Sequence, residues 1–209
     1  MATVQLFKLL LNKDASKEII KKAIKTDNSR KLAPKLLGIL DDLPTKTGVF
    51  YVHNCSSQIL YMGKAKNIQK EVNNLFLRNS KKSRDLQDKV VSVTYRETGN
   101  ELIAQLLFAQ ELENNKPRHN YPLRKKYEPV KFSNENMLII DRGRNVGEKS
   151  VLLIEEDEFK GFCYTDLEFQ VNNHEVLTKL ISKMENSEHN RHLISKYLLT
   201  KRVEKIIRF

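Results

Sequence analysis

The chain has 209 residues and a formal net charge of +11, from 37 Lys and Arg against 26 Asp and Glu. That length suits one domain or two small ones. There is no apolar run long enough for a membrane helix and no signal-type N-terminal stretch, so the expected anionic partner is nucleic acid rather than a membrane. Cys55 and Cys163 stand alone, without metal-ligand spacing, which fits a reduced, cytoplasmic setting. His189 and His192 are close in sequence but lack a second ligand pair, so no zinc site is expected.

Residues 2–11 read as a short apolar helix. Ser16 can cap a second, with Ile19, Ile20, Ala23 and Ile24 on one face. Pro34 interrupts, and a short helical piece is expected near Leu36–Leu40. This lead-in, residues 1–42, makes no core of its own.

A central block, residues 43–126, begins at Leu43-Pro44. Strands are expected over 48–53 and 58–62, joined by the turn Asn54-Cys55-Ser56-Ser57. Asn67 can cap a helix over 67–77, where Ile68, Val72, Leu75 and Phe76 recur at helical spacing. A short helix reaches about Lys89. Val91, Val93 and Tyr95 alternate with polar residues, which predicts a half-buried strand over 90–96. After the turn Thr98-Gly99-Asn100, residues 101–113 form a helix apolar on nearly every side, and such a helix should be buried.

A charged linker over 122–135 leads to a small α+β unit, residues 127–209. Its expected strands are Met137–Asp141, Ser150–Glu155 and Gly161–Thr165. Two helices should close it. The first has Val176, Leu177, Leu180, Ile181 and Met184 on its inner stripe; the second starts around Leu193 and Tyr197 and runs to about Ile207.

The ordered set Gly48-Val49-Phe50-Tyr51, Tyr61-Met62-Gly63-Lys64-Ala65-Lys66-Asn67, Glu97-Thr98-Gly99-Asn100-Glu101-Leu102 and Lys116-Pro117-Arg118-His119-Asn120 resembles the GIY-YIG nuclease domain. The form it resembles is that of the UvrC-type excinuclease subunit and of DNA polymerase III epsilon-like proteins. The resemblance spans about residues 43–126 and implies an α/β (α+β) fold, a small antiparallel sheet flanked by helices. It also implies DNA as partner, with repair or replication proteins nearby. Residues 2–11 resemble the last helix of DEDD-type proofreading exonucleases, which in the epsilon-like proteins precede a GIY-YIG region. The chain would then correspond to the C-terminal part of that architecture.

In this family a tyrosine from each strand, a helical arginine and a glutamate holding one divalent metal, Mg²⁺ or Mn²⁺, perform phosphodiester cleavage. The chemistry needs an activated water and cations on the phosphate oxygens. Here Tyr61 and Lys64 occupy retained catalytic positions. The first tyrosine position holds Phe50, which has no hydroxyl, and neighbouring Tyr51 points to the other face of its strand. The arginine position, ten residues after Tyr61, holds Glu71. The metal position, nine residues before Pro117, holds Phe108, which cannot bind a hard cation. Glu111, Gln105 or Glu71 could supply an oxygen only in a rearranged site. No metal or other cofactor is therefore expected.

Basic clusters at Lys64, Lys66 and Lys70, at Lys81, Lys82 and Arg84, and at Lys116, Arg118, Arg124, Lys125 and Lys126 could contact phosphates without reading sequence. Lys201, Lys205 and Arg208 would share a face of the last helix. Any one cluster alone is an ordinary solvated face; together on such a fold they point to DNA. The expected function is DNA binding with degenerate catalysis. The alternatives are an active metal-dependent endonuclease with a rewired site, or a protein-interaction module.

Overall fold

Asn54 sets the first hairpin. Its side-chain oxygen accepts from the backbone N–H groups of Ser56 and Gln58, both at 2.9 Å, closing a polar turn between two strands. In the computed structural model these are β1 (Gly48–His53) and β2 (Ile59–Ala65). The structure describes residues 32–122, 132, 136–171 and 173–209. The expected helices at 2–11 and 16–24 lie outside them, as do Arg124, Lys125 and Lys126.

The next elements follow the sequence closely. Pro34 opens α1 (Pro34–Asp41), a position where its missing N–H costs nothing. α2 (Ile68–Leu77) is capped by Asn67, which accepts from the Lys70 N–H at 2.8 Å. α3 (Lys81–Lys89) is capped by Ser80. β3 (Ser92–Glu97) then pairs with β1, giving an antiparallel sheet in the order β2-β1-β3. α4 (Glu101–Asn115) begins at its cap Asn100.

The sheet has two packed faces. Phe50, Val52, Gly63 and Tyr61 are in register on one, Val49, Tyr51, Met62 and Lys64 on the other. α4 covers the second face, where Val49 and Met62 join Leu102, Ile103 and Leu106 in one core. β3 is less buried than its alternation predicts: Tyr95 is 44% exposed. The strand lies at the sheet edge, so its alternate residues reach past the covering helices. β2 is longer than expected and keeps Gly63 and Lys64 within the ladder.

β4 (Met137–Arg142), β5 (Lys149–Glu155) and β6 (Glu158–Thr165) form hairpins as the turn residues predict. α5 (Glu168–Val171) and α6 (His174–Leu180) follow. The helix over Val176–Met184 stops early, because Ile181 is its cap and β7 (Ser182–Lys183) pairs with Gly161 and Phe162. The last helix, α7 (Glu188–Thr200), also ends before Ile207. β8 (Lys205–Arg208) instead joins β4, completing the sheet order β7-β6-β5-β4-β8. Lys201, Lys205 and Arg208 therefore share no helical face. Open backbone groups at the edge of β4 outweigh the helical spacing.

α4 is apolar all round because it is covered twice. Residues of the second sheet, Ile139, Leu152, Ile154 and Phe162, share its core, as do Ile194 and Tyr197 of α7. Full burial of each such side chain contributes about 1.5–3 kcal/mol. Lys35–Phe209 form one compact unit, so the described residues on either side of the linker share a core. The seam is also polar. Asn100 caps α4 through the Ile103 N–H at 3.0 Å and donates to the Arg142 carbonyl at 3.0 Å and to Ser150 Oγ at 2.7 Å. Gly99 sits there at φ +75°, and a Cβ on it would stand 2.1 Å from the Gly143 carbonyl oxygen. Both cysteines are free thiols.

Candidate nucleic-acid interface

Residues Lys64 to Asn67 lead from the end of β2 into the capped start of α2. This places Lys64, Lys66 and Lys70 around one open cleft of about 550 Å³, closed on the far side by Glu101, Ala104 and Gln105 of α4. Glu71 and Asn74 of α2 complete the wall. Crowding by neighbouring atoms holds the Lys64 ammonium below the usual lysine range; Lys196 pushes the same way and Glu101 opposes. Glu101 is itself engaged by Lys66 at 2.8 Å and Lys201 at 4.0 Å.

Tyr61 stands on the opposite face of β2. Its ring lies 6.1 Å from that of Phe50, with the Lys82 ammonium 4.1 Å from its centroid. Burial raises the Tyr61 hydroxyl's pKa, while Arg78 draws it down and Glu71 pushes it up. Phe50 is a core residue: it is 1% exposed, and its ring is so close to Gly63 that a Cβ there would be 2.4 Å away. Only glycine allows that approach.

Glu71, expected at the arginine position, is bound by Arg78 at 2.9 Å. A guanidinium thus reaches the Tyr61 side from seven residues further along the chain. Sequence reading missed Arg78, because position-by-position matching stops at residue 71; the signal it left was an opposite charge two helical turns away.

The positions do not fit a divalent cation. Phe108 is partly buried and packs on the core cluster of α4, one turn beyond the cleft wall formed by Ala104 and Gln105. Glu111 is taken by the Tyr51 hydroxyl, which donates to it in a very short hydrogen bond, and by Arg96 at 3.7 Å. That contact and burial raise the Tyr51 pKa, burial most. Glu71 and Glu101 are already paired with cations. Among the described residues no three His, Cys, Asp or Glu side chains group as metal ligands.

The other basic clusters separate. Lys81 and Arg84 are exposed on α3, where Arg84 donates to Asn79 at 3.1 Å. Lys116 and Arg118 line a different depression, at the opposite end of β2 beside Gln58 and Leu60. Asn120 holds that segment in place: it accepts from the Met62 N–H at 2.9 Å and donates to the Met62 carbonyl at 2.8 Å.

Residues 46–121 match the family model of the UvrC-like GIY-YIG domain. The UvrABC system protein C of Bacteroides thetaiotaomicron is 34% identical over 125 residues, covering 58% of this chain and 20% of that protein. The corresponding protein of Bdellovibrio bacteriovorus is 35% identical over 97 residues, covering 44% and 15%. The chain thus spans about a fifth or less of the length of the curated relatives it matches. Among solved structures, the GIY-YIG N-terminal endonuclease domain of UvrC from Thermotoga maritima, bound to magnesium, is 20% identical. That likeness covers 43% of this chain and 99% of that one, with a TM-score of 0.39. No helix among the described residues is long and apolar enough to cross a membrane. Over residues 46–121 this chain is therefore similar to the UvrC-like GIY-YIG domain.

Proposed function

We propose that this domain binds DNA through the Lys64, Lys66 and Lys70 cleft, in a repair setting, with a nuclease site that has degenerated. The observation that carries this is the cleft's composition. Three ammoniums line it, and its two carboxylates, Glu71 and Glu101, are already held by cations. Such a cleft attracts phosphate, while both of its carboxylates are already committed to cations rather than to a hard metal ion. Lys82, Lys81 and Arg84 extend the positive surface on the Tyr61 side. Lys116 and Arg118 form a second patch, and Arg124, Lys125 and Lys126 follow it in sequence. Kinship with UvrABC system protein C supports DNA repair, and with it a cytoplasmic place and partners among repair proteins. A position behind an exonuclease domain, as in DNA polymerase III epsilon-like proteins, rests on the resemblance of residues 2–11 alone.

One observation favours a rewired endonuclease instead: Arg78 brings a guanidinium to the Tyr61 side. It restores the cation but not the carboxylate.

Fluorescence anisotropy with labelled duplex and branched DNA tests the binding. Affinity should fall steeply with salt and depend little on sequence. Lys64→Glu with Lys70→Glu should weaken it strongly. Failure of the unaltered protein to bind at low salt would overturn the proposal.

A further inference from the structure

The helix α7 lies outside residues 46–121, yet it packs on α4 beside the cleft. It buries Asn190, Ile194 and Tyr197, one stripe at helical spacing. At about 100° per residue, His189 and Lys196 fall on one flank of that stripe. That flank faces Lys64: Lys64 feels the charge of Lys196, and His189 that of Lys64. The end of the same helix brings Lys201 to within 4.0 Å of Glu101, at the cleft's edge. Lys64, Lys66 and Lys201 therefore all lean on one carboxylate, Glu101, with Lys196 close by. Glu113 also acts on this flank, through His189. Cations gathered around too few carboxylates repel one another, and a phosphate chain relieves that repulsion.

We infer that the DNA-binding surface is composite: the backbone bound in the cleft continues past Glu101 onto α7, where Lys196 and Lys201 contact phosphates. This rests on the DNA-binding reading above. It gives the C-terminal unit a role in that binding, beyond covering α4. DNA is the occupant by charge complementarity: Lys64, Lys66 and Lys70 line an open cleft, and Lys201 reaches Glu101 in its wall from α7, so the cations extend over two elements and favour a polyanion over a single small anion.

The test is the salt dependence of duplex DNA binding by the full chain. Withdrawing one lysine from a phosphate lowers the slope of log K against log salt by about 0.9. Lys196→Glu with Lys201→Glu should lower the slope by about two and weaken binding. Lys196→Gln with Lys201→Gln should do the same to a smaller extent in affinity. Lys179→Glu is the control: α6 packs with Leu177 in the core on the other face of the five-stranded sheet, so this change should leave the slope alone. Circular dichroism and thermal melts check that each variant is folded. If the α7 variants bind like the unaltered chain while Lys64→Glu with Lys70→Glu does not, the composite surface is overturned and the cleft reading stands. If Lys179→Glu lowers the slope as much as the α7 pair, the effect is one of net charge and the inference fails. If the unaltered chain does not bind, both fail.

Discussion

Tyr51 and Phe50 divide the work at the start of β1. Successive strand residues point to opposite faces, so Phe50 fills the core over Gly63 while Tyr51 reaches across to Glu111 on α4. The absence of a hydroxyl at Phe50 was plain in the sequence; the capture of Glu111 was not, because it joins residues sixty positions apart. The bond ties the sheet to the central helix and occupies a carboxylate of that helix. Tyr51→Phe should therefore destabilise the fold by about 1.5–3 kcal/mol, the range for a hydrogen bond to a charged group. Urea unfolding followed by circular dichroism measures this. An unchanged midpoint would mean that the bond contributes nothing net.

At the scale of elements, the strands and helices from Gly48 to Asn115 were legible because turns and caps agree with hydrophobic spacing there. The C-terminal stretch after α6 was less so. Its apolar residues fit a helix, but open edges of β4 and β6 recruit Lys205–Arg208 and Ser182–Lys183 as strands, and nothing local announces that pairing. Likewise the side chain of Asn120 acts as a strand partner for Met62, a role visible only in three dimensions. Asn120→Ala leaves both backbone groups of a buried residue unpaired and should cost about 1–3 kcal/mol. Hydrogen exchange at the Met62 amide should accelerate in the same variant; unaltered protection would contradict the assignment.

α7 carries a pH-dependent element. Burial is the main reason that His189 has a pKa below the ordinary histidine value; Glu113 opposes it, while His192 and Lys64 reinforce it. A depressed folded-state value means that the fold prefers the neutral ring. Stability is then full above the unfolded value, about 6.5, and declines as pH falls below it. Thermal melts between about pH 7.5 and 5.5 should show the unaltered chain losing more stability than His189→Gln. Equal losses would place the pH dependence elsewhere.

Taken as a whole, the molecule places a basic cleft at the meeting of β2, α2 and α4, on a helix covered by two sheets. Tyr61, Lys64, Glu71 and Phe108 were assigned to family positions from offsets along the sequence alone. The proposed roles of α7 and of Arg78 were not legible in the sequence, since both arrive by packing rather than by spacing. The proposed consequence is a surface suited to phosphate in which the family's reacting groups are not retained. On the proposed reading, Phe108 and Phe50 stand where the family resemblance implies a carboxylate and a tyrosine hydroxyl, each commonly worth several kcal/mol of transition-state stabilisation in such sites. The measurement that tests this most directly is nicking of supercoiled plasmid by the purified chain with Mg²⁺ or Mn²⁺ added. No cleavage above background is predicted at protein concentrations that saturate the DNA. Metal-dependent nicking that disappears in Tyr61→Phe would contradict it and would show a site rewired rather than lost.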